Sequence, residues 1–247
     1  MSLPPEALPR RELESRLRRS RTLNLLLGAV AVVAVVFGTV QWTQAGASGG
    51  QSVEVEAEES AGEAAGETVS IERRVEGDPM AIGSLDAPVV LSEWIDFRCP
   101  YCAVFSRDTF PRIVQEYVDA GDVRIEIHDV AFFGEESERA AVAARAAGEQ
   151  GMYFEFLEAV YAAAPESGHP DLSEQELVGF ATQVGVPDIP RFTEDLANDE
   201  LRAAVRESTA NAQQLGVSAV PFFAVRGQAL SGAQPIENFR QLLDQHL

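Results

Sequence analysis

The 247-residue sequence has no lysine: all 19 of its basic side chains are arginine, set against 39 aspartates and glutamates. The resulting net charge of -20 excludes a nucleic-acid partner, whose phosphates a body this acidic would repel. Histidine is scarce too. His128, His169 and His246 show no metal-ligand spacing, so a histidine-based metal centre is not expected. Cysteine is rarer still, with Cys99 and Cys102 the only two. Two thiols cannot build a disulfide framework or a four-thiolate metal site. At Cys-x-x-Cys spacing they sit one helical turn apart and can close a small ring on each other.

What is present is unevenly distributed. Residues 1–22 carry six Arg and three Glu, while residues 23–40 are almost wholly apolar and carry no charge. At helical rise that run spans roughly 27 Å, near the thickness of a bilayer core. Arg16, Arg18, Arg19 and Arg21 precede it and Trp42 follows it, which sets the N-terminus inside and the rest of the chain outside. We read 1–22 as a cytoplasmic basic segment and 23–42 as an uncleaved transmembrane signal anchor. Cleavage near Ala47, at Ala45-Gly46-Ala47, is the alternative and would give a secreted protein. Either way the C-terminal body is exported to a compartment that permits disulfides. Residues 43–68 are Gly, Ala, Ser, Gln and Glu with few apolar side chains, and read as a flexible acidic linker.

The remainder, 69–247, reads as one folded domain. Thr68 to Val75 alternates as a peripheral first strand. Val89 to Phe97 is largely apolar and β-branched, the pattern of a buried strand. Ala103 to Ala120 follows as a helix, so the cysteines lie at a strand-to-helix junction, a thiol–disulfide redox signature. Val123 to His128 alternates as a second core strand. Helical segments run from about 135 to 215, with Ser173 as an N-cap facing Glu176. Val220 to Val225 and Ala229–Leu230 are strands around a turn at Gly227, and Pro235 opens a last amphipathic helix with Ile236, Phe239, Leu242 and Leu243 inward. A βαβ unit and a hairpin separated by helices make an α/β sandwich. The cysteines fall at the C-terminal end of its central strand, where open α/β sheets place their sites.

Three separated stretches resemble the DsbA-like branch of the thioredoxin fold. They are Gly83-Ser84-Leu85-Asp86-Ala87-Pro88-Val89 with Asp96-Phe97-Arg98-Cys99-Pro100-Tyr101-Cys102; Ala140-Ala141 through Gln150-Gly151-Met152-Tyr153-Phe154; and Leu215 to Phe223 with Gly227 and Leu230-Ser231-Gly232-Ala233-Gln234. The resemblance covers about residues 76–247. It implies a thioredoxin fold with a helical insertion at about 135–215, here preceded by one N-terminal transmembrane helix. It also implies a cis bond before Pro221, with the Val220 backbone turned toward the cysteines to receive a substrate chain. Glu93, six residues before Cys99, would lie buried behind the cysteines and relay the proton of the resolving thiol.

The expected chemistry follows from position. Cys99 at an exposed helix N-terminus faces unpaired N–H groups that favour its thiolate. Pro100 suits the first helical position, where no donor is lost. Cys102, one turn deeper, is the resolving thiol. A good leaving group at Cys99 makes the disulfide easy to reduce and hence a strong oxidant. Asp96 reads as a loop or cap residue, and Arg98 as solvated. The expectation is an extracytoplasmic oxidoreductase that forms disulfides in exported proteins and needs no cofactor. The resemblance implies reoxidation by a membrane quinone-linked partner, DsbB-like or VKOR-like. Pro100-Tyr101 departs from the Pro-His of the best-known oxidases, which leaves a reductase or isomerase open. A membrane-tethered chaperone or binding module with a non-catalytic disulfide is the alternative of another class.

Overall fold

The computed structural model describes residues 71–247. The basic segment, the anchor over 23–42, the linker over 43–68 and the first residues of the strand expected at Thr68–Val75 lie outside the described residues. Among those described, no helix is long and apolar enough to cross a membrane.

Strands β1 (Ala81–Ile82), β2 (Val89–Ile95), β3 (Val123–Asp129), β4 (Phe222–Val225) and β5 (Gln228–Ser231) form one sheet in the order β1-β3-β2-β4-β5. β2 is central and buried along its whole length, which is why its sequence is mostly apolar on both faces, with Ser92 and Glu93 as buried exceptions. It runs parallel to β3, with Glu93 opposite Ile127, and antiparallel to β4, with Glu93 opposite Phe223. One sheet face carries Leu91, Ile95, Ile125, Ile127 and Phe223. Three rings close over it, with Phe105 4.5 Å from Phe223 and 5.2 Å from Phe239. The other face packs Trp94 and Ala224 against Val130, Ala212 and Val217.

The helix expected from Ala103 to Ala120 is three pieces. Helix α1 (Pro100–Asp108) ends at Thr109, α2 (Phe110–Ile113) follows, and Val114–Val118 is a π-helical turn. Pro111 has no N–H to continue the ladder, so a single helix cannot pass through it. Between β3 and β4 the helical insertion comprises α3 (Glu135–Gly148), α4 (Tyr153–Ala163), α5 (Glu174–Val184), α6 (Ile189–Asp195) and α7 (Asp199–Gln214). Ser173 and Glu176 form the expected capping box at the start of α5. Helix α8 (Ile236–Asp244) buries Ile236, Phe239, Leu242 and Leu243, the face its sequence assigns.

The strand expected at Thr68–Val75 is not present in its described part, and β1 takes the sheet edge instead. The backbone N–H groups of Arg73 and Arg74 donate to the two carboxylate oxygens of Glu126, at 2.7 and 2.9 Å, rather than to a ladder. That segment covers the polar side of β3. Arg124 donates to Glu126 at 2.9 Å, and Arg145 holds Asp129 through two bonds of 2.7 and 2.6 Å. Along β3, Arg124 and Glu126 therefore alternate with the apolar Val123, Ile125 and Ile127.

Candidate active site

At the end of β2 the chain turns so that the Asp96 carbonyl accepts the Cys99 N–H at 2.9 Å. Cys99 becomes the N-cap of α1, with extended dihedrals, and Pro100 occupies the first turn. Cys102 lies one turn into the helix. Both thiols are free.

Their environments push them apart. The Cys102 thiol beside Cys99 favours its thiolate; burial opposes this, and the N–H groups of Tyr101 and Cys102 assist. The net effect holds Cys99 below the usual thiol range. Complete burial, followed by the neighbouring Cys99, pushes Cys102 well above that range. The difference is electrostatic more than one of access. Cys99 is 3% exposed and Cys102 0%, so the exposed helix end expected for Cys99 is a covered one. The cover is the loop before β4: the Val220–Pro221 bond is cis, as expected, and the Cys99 thiol donates to the Val220 carbonyl at 3.4 Å. Tyr101, at 65% exposure, is the part of the motif that meets solvent.

Glu93 lies on the same sheet face as the thiol pair. It is buried, its Oε2 has no hydrogen-bond partner, and burial pushes its carboxyl up to about 8. Its charge would disfavour the Cys102 thiolate. A carboxyl that titrates near neutrality beside the less acidic thiol is able to exchange a proton with it.

Arg98 is neither solvated nor turned to the thiolate. Its side chain is 14% exposed and donates to the carbonyls of Pro170 and Phe133, both at 2.7 Å, and to Glu136 at 3.0 Å. It binds the cysteine turn to the helical insertion, whose carbonyls supply acceptors that a local sequence reading does not see. Asp96 is a loop residue, as expected, and a fully buried one. Tyr161 on α4 was not singled out by its sequence. It stacks on Phe97 with centroids 5.7 Å apart and donates its hydroxyl to the Asp96 carbonyl at 3.2 Å. The signal was available: a tyrosine on a buried helix face needs a partner for its hydroxyl. Among the described residues, no group of three or more His, Cys, Asp or Glu side chains is placed to hold a metal ion.

Comparison with known proteins agrees with this geometry. The family model described as Thioredoxin matches residues 75–245. A protein of Bacillus anthracis described as "Probable disulfide bond formation protein D" is 28% identical over 171 residues, covering 68% of this chain and 77% of that protein. The crystal structure of oxidised BdbD from Bacillus subtilis superposes with a TM-score of 0.64 at 24% identity, covering 69% of this chain and 92% of that one. A thioredoxin-like oxidoreductase from Silicibacter pomeroyi superposes with a TM-score of 0.56 at 30% identity, covering 67% of this chain and 90% of that one. With two thiols of opposed acidity at the end of the central strand of such a fold, the chain belongs to the thioredoxin family, as a DsbA-like thiol–disulfide oxidoreductase.

Proposed function

We propose that this oxidoreductase works outside the cytoplasm, held by the apolar segment over 23–42, and forms disulfides in exported proteins. The observation that carries the direction is the opposed acidity of the two thiols: Cys99 lowered, Cys102 raised. A disulfide whose attacked sulfur later leaves easily as a thiolate is readily reduced, and so oxidises its partner. A substrate thiolate attacks Cys99 Sγ, the Cys99–Cys102 bond breaks, and Cys102 leaves and takes a proton from the Glu93 carboxyl. A second substrate thiolate then attacks the mixed disulfide, forms the substrate's own disulfide and releases Cys99 as the thiolate. Two electrons now rest on the Cys99–Cys102 dithiol and pass to a membrane quinone-linked reoxidase. The Val220 backbone at Pro221 receives the substrate chain as an added strand. The description of the Bacillus anthracis relative as a probable disulfide bond formation protein supports the oxidative direction.

The reduction potential of the Cys99–Cys102 couple tests this reading. We expect equilibrium with glutathione to place it nearer the roughly -120 mV of a strong oxidant than the roughly -270 mV of a reductase. A value at the reducing end overturns the oxidative direction.

A further inference from the structure

The Asp96 side chain accepts three hydrogen bonds beside the thiols, although it is completely buried. Its Oδ1 accepts the Arg98 N–H at 2.9 Å, and its Oδ2 accepts those of Phe132 at 2.8 Å and Phe133 at 3.3 Å. The first belongs to the cysteine turn and the other two to the loop between β3 and α3. The Asp96 carbonyl meanwhile receives the Cys99 N–H at 2.9 Å and the Tyr161 hydroxyl at 3.2 Å. Amide donors converging on both oxygens are what an ionised carboxylate accepts best. Burial, the largest effect, raises the Asp96 carboxyl above its usual range, and the Arg98 amide, the Ser137 side chain and the Phe132 and Phe133 amides hold that rise back. The cation nearest in sequence, Arg98, is committed to Pro170, Phe133 and Glu136. The other titratable groups around this turn are Cys102 on α1, Glu93 on β2, Tyr161 on α4 and His169, whose Nδ1 lies 3.0 Å from the Arg98 carbonyl and whose ring stacks on Phe133. Cys99 therefore meets a carboxylate whose oxygens are held by three backbone N–H groups.

We propose that Asp96 is a positioning residue for the thiol chemistry: its ionised carboxylate binds the Cys99 turn to the β3–α3 loop, and its charge limits how far the Cys99 thiolate is stabilised. The proposal rests on Cys99 as the reacting thiol and deepens that reading. The helix N-terminus and the Cys102 thiol draw Cys99 toward ionisation, and Asp96 opposes them. It holds the thiolate at an intermediate acidity.

The test is the titration of Cys99, followed by thiolate absorbance and by alkylation rate, in the full chain. Asp96→Asn should lower its midpoint by about one pH unit, since a like charge has been removed at close range. It should also cost hydrogen-exchange protection at Arg98 or at Phe132 and Phe133, because an amide NH2 cannot accept. Tyr161→Phe loosens the same turn without changing its charge and should leave the midpoint in place. Carbon-13 NMR of the wild-type Asp96 carboxyl should show it ionised at pH 7, a measurement that stands even if Asp96→Asn does not fold. An unchanged or raised midpoint in Asp96→Asn, an equal shift in Tyr161→Phe, or a protonated Asp96 at pH 7 overturns the proposal. A reducing potential for the wild type would refute the oxidative direction and leave this titration untouched.

Discussion

At the scale of single residues, the site is built from groups whose protonation its surroundings have moved. Glu93 is the clearest. Its carboxyl rises from 4.5 to about 8 through burial, so the folded protein binds a proton that the unfolded chain releases between those values. The stability tied to Glu93 is fully present below about pH 4.5 and is lost as pH rises toward 8. By pH 7 that loss is on the order of 3 kcal/mol. Glu93→Gln should flatten this decline and be the more stable protein at pH 8, measured by urea unfolding across pH. It should also slow the turnover of mixed disulfides, which stopped-flow kinetics would show; unchanged kinetics across neutral pH would remove Glu93 from the mechanism. His128 acts in the opposite sense. Burial, then the Arg73 guanidinium, push it from 6.5 down to about 3, and its ring stacks 4.7 Å from Trp94. Its contribution is present above about pH 6.5 and lost as pH falls toward 3. His128→Gln should therefore remove part of the acid-side slope and none of the alkaline one. The two cysteines separate by the same logic. Cys102→Ser should accumulate covalent complexes with exported proteins that disappear on reduction, while Cys99→Ser accumulates few. Equal trapping by both would reverse or abolish the assignment of attacking and resolving thiol.

At the scale of elements, the placement of the site depends on close contacts around the β2–β3 pair. Gly83, at the end of β1, has a φ of 101°, and a Cβ there would stand 2.7 Å from the Val123 carbonyl oxygen. Both the left-handed backbone and the contact exclude a side chain. Gly83→Ala should cost about 2 kcal/mol or more, read as a lower unfolding midpoint. Because β1 pairs only with β3, we expect the Cys99 titration to be unaffected. Wild-type stability in Gly83→Ala would mean that the β1 edge contributes nothing. The sequence reads as one helix from Ala103 to Ala120, and the structure breaks it at Thr109 and Pro111, where proline cannot donate. The course of residues 71–75 was not legible in sequence. Their alternation satisfies a strand pattern, and only the position of the Glu126 carboxylate diverts their amides away from the sheet.

At the scale of the whole molecule, the thioredoxin βαβ unit and hairpin are joined by five helices, and these form one wall of the turn that bears the thiols. Arg98 and Tyr161 are the links, one reaching out to the insertion and the other reaching in from it. The proposed location is tested by topology. Protease added to intact cells should remove the domain and leave residues before Leu23 protected; a mature secreted chain beginning at Ser48 would replace the anchor with a cleaved signal. Arg98→Ala removes three bonds to the insertion, and we expect faster local opening of the 165–171 loop in hydrogen exchange.

By itself the sequence determined the α/β class, the spacing of the two thiols, the central strand and the Ser173 cap, while the cis bond before Pro221 came from the resemblance to a known family. Each of the former depends on local chemistry: periodicity, the spacing of two cysteines, a side chain three residues from its own backbone partner. The tertiary structure alone decided how acidic each thiol is, because that depends on which groups surround it from other elements. It covered Cys99 with the Val220 carbonyl and buried Glu93 without a hydrogen-bond partner at Oε2. It turned Arg98 from a solvated flank into a strut and brought Tyr161, 65 residues away, onto the Asp96 carbonyl. Burial and long-range hydrogen bonds have no period along the chain, and so they leave no pattern in it to read.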